Sequence, residues 1–117
     1  MRVENIIADL HVEDIESAKD FYMGFLGLQE EGLGLDWVTR LRSPQTGAVV
    51  QLVSRDATAP EDPVVSVLVD DVDAAYDIAL RGGYEIVHAL RVEAWGVRRF
   101  FVRAPDGNVV NVVGHRA

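Results

Sequence analysis

The chain has 117 residues, a net charge of −8 and no cysteine, which is the size of one ordinary domain able to bury its own core. The missing cysteines exclude disulfides and thiolate metal sites, and the acidic balance argues against nucleic acid, whose phosphates it would repel. No apolar run approaches the roughly 18 residues of a membrane span, and the opening MRVENIIADLHVED lacks the apolar stretch of a secretion signal, so a cytoplasmic protein free of membranes is expected.

Asn5–Leu10 is a short apolar run that reads as a strand. Asp14 then suits an N-cap, and Ile15, Ala18, Phe21, Tyr22 and Phe25 recur at helical spacing until Gly27 stops the helix. Three strand-like runs follow, Leu28–Glu31, Trp37–Arg42 and Ala48–Val53, the last two separated by the turn residues SPQTG. A polar, proline-bearing stretch, 55–63, comes next.

From Val64 the same order begins again. Val64–Val69 reads as a strand, Asp71 as a cap, and Val72, Ala75, Tyr76, Ala79 and Leu80 as a helical stripe ended by Gly82 and Gly83. Strand-like runs at Tyr84–Ala89, Val97–Arg103 and Asn108–Val113 complete it, with the turn APDG between the last two. The octapeptides GAVVQLVS (47–54) and GNVVNVVG (107–114) close the two halves with the same Gly-x-Val-Val opening and one amide each, Gln51 and Asn111. A strand, a capped helix and a glycine stop in one order, twice, signal duplication. The reading is an α+β fold of two tandem βαβββ modules, 1–54 and 64–117, joined by the linker 55–63.

Alternation assigns faces to the strands. Val50 and Leu52 oppose Val49, Gln51 and Val53, and Val110 and Val112 oppose Val109, Asn111 and Val113. The uniformly apolar face is expected to pack on the helix of its own half. The other face sets a few polar groups among valines, as the lining of a ligand cleft does.

With these elements placed, the chain resembles the vicinal oxygen chelate superfamily of glyoxalases, bleomycin-resistance proteins and extradiol dioxygenases. The resemblance spans nearly the whole chain and is carried by IESAKDFY (15–22) running to FLGL (25–28), VDDVDAA (69–75), Trp95-Gly96, and FFVRAPDGN (100–108). It departs at Ala104, where the family usually has Asp. The resemblance implies paired βαβββ modules whose mixed sheet curls into a cleft, normally in a homodimer; because curled sheets leave edge strands and an apolar flank to cover, clefts that need both modules are expected. It also implies metal-ligand positions on the first and fourth strand of each module, which fall here on Asn5, Gln51, Val64 and Asn111. Zn²⁺ and Fe²⁺ favour imidazole and carboxylate, amide oxygens are weak neutral ligands, and valine has no donor. Gln51 alone would be acceptable there; the set as a whole is not, so no metal and no cofactor are expected. Asp9 shares the strand parity of Asn5 but lacks a second strong ligand nearby. His11, His88 and His115 fall in or beside loops at strand ends, without metal-binding spacing.

No nucleophile–base order or phosphate-cradling loop is present. The metal-free bleomycin-resistance branch lines its groove with aromatic residues, and Trp95 matches the tryptophan of its Trp-Gly pair. Indole faces suit planar or cationic ligands. By alternation Arg99 and Phe101 share the face of Trp95, and Trp37 reads equally as lining or packing. The ligand-binding residues expected are thus Asn5, Trp37, Gln51, Trp95, Arg99, Phe101 and Asn111. The function expected is metal-independent binding of a small molecule such as an antibiotic, rather than catalysis. Two alternatives stay open: a metal-dependent lyase, isomerase or dioxygenase with unusual ligands, and a structural or regulatory dimer with a vestigial cleft.

Overall fold

A computed structural model of the chain describes residues 1–114; His115, weighed above as a ligand, lies outside them. The described chain divides into two compact units, Ile7–Thr58 and a second built from Met1–Ile6 together with Ala59 onward. Each has strands with both parallel and antiparallel neighbours plus helix, an α+β arrangement. Strand β1, Val3–His11, therefore begins in one unit and ends in the other.

In the unit Ile7–Thr58, β2 (Gln29–Glu31), β3 (Val38–Arg42) and β4 (Val49–Val53) form antiparallel neighbours, and β4 runs parallel to β1. This β2-β3-β4-β1 order is what a βαβββ module requires, because a parallel return needs a helical crossover. Asp14 caps that crossover, α1 (Ile15–Lys19), accepting from the Glu16 amide at 3.1 Å and the Ser17 hydroxyl at 2.6 Å. The helix then widens into a π-helical segment, Asp20–Phe25. That widening changes the expected packing. Ile15, Ala18 and Tyr22 are half-buried, but Phe21 and Phe25 stack on each other at 5.3 Å and face outward, Phe25 at 75% exposure. No residue of this helical stretch is fully buried.

The second unit repeats the order as β5 (Val65–Val69), β8 (Val109–Gly114), β7 (Arg98–Arg103) and β6 (Glu85–Val92), with β5 parallel to β8. Its helix α2 (Val72–Arg81) is capped by Asp71, which accepts from the Ala74 amide at 3.0 Å. Gly27 and Gly83 follow the two helical stretches with φ of 71° and 73°, values that an L side chain rarely adopts. Here the apolar sheet face packs on the helix as alternation predicts: Val69, Phe100 and Val112 meet Val72, Ala75 and Ala79, with Val67, Tyr76, Val102 and Val110 around them. Gly114 allows the close approach, since a Cβ there would stand 2.7 Å from Val72 Cβ. On the opposite face Ala59, from the linker, packs with Phe101, Val109 and Val87.

Strand β6 departs from its predicted extent, Tyr84–Ala89. It runs on to Val92 and pairs with β7 through two register shifts, between Ile86 and His88 and between His88 and Arg91. Such bulges re-aim side chains and break the two-residue period on which the sequence reading relied. Among the described residues no helix is long and apolar enough to cross a membrane.

Candidate functional site

The two amides that close the repeats each sit in a polar row that runs across their own unit's strands. Gln51 pairs in register with Arg40 on β3 and Asp9 on β1. Its Nε2 donates to Asp9 Oδ1 at 2.6 Å and its Oε1 accepts from Arg40 Nη2 at 3.0 Å. Asn111 pairs with Ser66 on β5 and Phe101 on β7, which pairs in turn with His88 on β6. Asn111 Nδ2 donates to Ser66 Oγ at 3.0 Å, while its Oδ1 is buried without a hydrogen-bond partner. Gln51 and Asn111 are each 7% exposed.

These registers correct one position. Asp9 opposite Gln51 corresponds to Ser66 opposite Asn111, so the counterpart of Val64 is Ile7 and not Asn5. Ile7 is an apolar side chain at 2% exposure. Asn5 is exposed and its Oδ1 accepts from the amide of Ile6. Spacing along the chain cannot reveal a parallel register, which is set by the hydrogen-bond ladder across strands. The donors do not fit the metal that the superfamily resemblance implies. Ile7 and Val64 have no donor, and the Gln51 amide is committed to Asp9 and Arg40. A carboxylate and an amide fall short of the three or four protein ligands such sites use. Among the described residues no group of three or more His, Asp or Glu is placed to hold a metal ion.

Of the aromatic candidates, Trp37 is half-buried and its carbonyl accepts from the Ser54 amide. Trp95, Arg99 and Phe101 do come together. The guanidinium carbon of Arg99 lies 4.9 Å from the Trp95 ring centroid and 4.7 Å from that of Phe101. Glu93 completes the group: its Oε2 accepts from Arg99 Nη2 at 2.6 Å and Nε at 3.0 Å, and its Oε1 stands 2.8 Å from Arg91 Nε. His88 Nε2 stands 3.5 Å from the same carboxylate, and its ring lies 5.1 Å from that of Phe101. Phe101 has no exposed surface, so it is a wall and not an open stacking platform.

Sequence reasoning missed Glu93, His88 and Arg91. Their signal was one acidic residue among the arginines at 91, 98 and 99, beside the tryptophan. His88, expected at a loop, is instead in the middle of a bulged strand, whereas His11 ends β1 and is exposed. Two neighbouring arginines on β7 pair outside this group: Arg98 bonds Asp73 at 2.7 Å, and Arg103 bonds Glu61 and Glu85.

Two of the recesses among the described residues lie elsewhere. One, of about 340 Å³, opens in the first unit among Glu13, Asp14, Glu16, Glu30, Asp36 and Thr39. The Thr39 hydroxyl donates to Glu30 at 2.6 Å and Lys19 bonds the same carboxylate, and these hold the Glu30 carboxyl below its ordinary range. The other, of about 330 Å³, is apolar and lies between α2 and its sheet, lined by Val67, Val69, Ile78, Ala79 and Phe100.

The family model for the Glyoxalase/Bleomycin resistance protein/Dioxygenase superfamily matches residues 5–112, and the chain belongs to that superfamily. Solved structures agree on the fold. A superfamily member from Vibrio splendidus 12B01 aligns at 20% identity over 94% of this chain and 97% of its own, with a TM-score of 0.72. Methylmalonyl-CoA epimerase from Mycobacterium tuberculosis aligns at 20% identity over 98% and 90%, with a TM-score of 0.73. The Mn(II)-bound glyoxalase from Novosphingobium aromaticivorans aligns at 24% identity over 99% of this chain and 40% of its own, with a TM-score of 0.71. Compared with curated proteins by sequence, the chain matches none.

Proposed function

We propose that the protein is a metal-independent small-molecule binder of this superfamily, acting as a homodimer and sequestering a planar or cationic ligand such as an antibiotic. The polar rows carry this reading. Where the superfamily resemblance places metal donors, Ile7, Val64 and two amides stand instead, and Asn111 keeps a buried acceptor with no partner. A buried carbonyl left unpaired costs stability, so a structure that retains one has a use for it or tolerates a defect. Arg99 does not serve as an anion receptor in this reading, because Glu93 already neutralises it. The outward aromatic pair Phe21–Phe25, with Met23 and Leu26 also exposed, supports self-association.

The test combines three measurements on the protein purified without chelator. Elemental analysis should find no stoichiometric divalent metal, light scattering should give a dimer, and a thermal-shift screen of aromatic antibiotics should yield a ligand whose shift is lost in Trp95→Ala. Tightly held Zn, Fe, Mn or Ni would transfer the reading to a metal-dependent enzyme. A ligand indifferent to Trp95→Ala would place the binding elsewhere.

A further inference from the structure

Around Arg99 the second unit arranges the parts of a receptor. Two aromatic rings lie within 5 Å of the guanidinium carbon, at 4.9 and 4.7 Å, and a buried carboxylate takes two of its N–H groups. Ring faces attract a flat, weakly hydrated cation, and a carboxylate oxygen on its edge fixes its direction. The group held in this way belongs to the chain itself.

We propose that Trp95, Phe101 and Glu93 form a planar-cation site whose resident occupant is Arg99, and that a ligand bearing a guanidinium, amidinium or similar flat cation binds by taking Arg99's place. This rests on the reading of the protein as a small-molecule binder and adds to it the ligand class and a self-occupied closed state. Two features suit such an exchange. Arg99 reaches the site from the backbone of β7, so a side-chain rotation withdraws it while the strand stays paired. Arg91, itself 63% exposed, holds the other oxygen of Glu93, so the carboxylate keeps one cation while Arg99 is out. Leaving a buried carboxylate with no cation would oppose the exchange strongly, and Arg91 removes that obstacle.

The experiment empties the site and refills it. Arg99→Ala is made in a Trp37→Phe background, so that fluorescence reports Trp95 alone. The probes are N-ethylguanidinium, ethylammonium (the same charge without the flat group) and benzamidinium. The expected result is a saturable rise in melting temperature of Arg99→Ala with N-ethylguanidinium, at affinity at least about tenfold better than ethylammonium, since only the flat cation has both stacking and a bidentate edge. Benzamidinium should quench Trp95 in both proteins, needing at least about tenfold more in the unsubstituted one because Arg99 competes.

Equal rescue by ethylammonium overturns the proposal. So does complete indifference of the unsubstituted protein to benzamidinium, which would make the box a purely structural ion pair. If Arg99→Ala does not fold, Arg99→Lys keeps a charge for Glu93 but vacates the stacking place. Benzamidinium must then quench it at clearly lower concentration than the unsubstituted protein, and equal curves reject the idea. A neutral or anionic screening hit that depends on Trp95 would leave the binding reading standing and remove the cation class.

Discussion

Asn111 and Gln51 hold equivalent places in the two repeats yet differ in how well they are satisfied. Gln51 spends both ends of its amide on Asp9 and Arg40, whereas Asn111 spends its nitrogen on Ser66 and leaves its oxygen unpaired. An unpaired buried carbonyl costs about 1–3 kcal/mol, and an apolar side chain of the same shape avoids that cost. Asn111→Leu should therefore raise stability, by up to about 1 kcal/mol after loss of the Ser66 bond, a gain of a few degrees in melting temperature. A clear drop would show that the oxygen is satisfied after all. The amides were legible from the sequence because both follow Gly-x-Val-Val on an alternating strand. The identity of their neighbours was not: Asp9, Ser66 and Ile7 come from parallel registers, which leave no trace in local spacing.

Among the elements, the β2–β3 hairpin is fastened to α1 by one carboxylate. Glu30 accepts from Thr39 on β3 and from Lys19 at the end of α1, and its carboxyl titrates below the ordinary range with the Thr39 hydroxyl as the first cause. A depressed folded-state value stabilises the fold above the unfolded value, and that contribution is lost as pH falls through the lowered one. Thr39→Val removes the main cause while keeping the shape. The gap in urea midpoint between parent and Thr39→Val should be full at neutral pH and shrink as the pH drops below the ordinary glutamate range; a gap independent of pH would refute the linkage. At this scale the sequence spoke clearly for most elements, because Asp14, Asp71, Gly27 and Gly83 cap and stop the helices by local chemistry. It failed at the π-helical segment, where Phe21 and Phe25 turn outward, and at β6, whose two bulges gather His88 and Glu93 beside Arg99.

For the molecule as a whole, the division of the chain is not the division of its repeat. Met1–Ile6 belongs with Ala59 onward, and the Arg2 amide donates to Asp70 at 2.6 Å while the Asp70 amide returns a bond to the Arg2 carbonyl. Deleting residues 1–4 should therefore speed hydrogen exchange in β5 and the first turn of α2 by at least about tenfold. The β2–β3 hairpin should keep its protection. Equal acceleration in both places would mean that the first residues serve the N-terminal module in which the repeat puts them.

The bulges of β6 have a further consequence, for association. In their strand orders β2 and β6 are the outermost members, where unpaired backbone groups would recruit another chain into a growing ladder. β2 is guarded by brevity and charge, being only Gln29–Glu31. β6 is long enough to be dangerous, and its two register shifts deny an incoming strand any regular row of partners. The irregularity that brings the His88 imidazole to the carboxylate paired with Arg99 thus also leaves the edge without a regular ladder to extend. A β6 straightened to full register with β7 would offer an incoming strand an unbroken row of partners and would draw His88 away from Glu93.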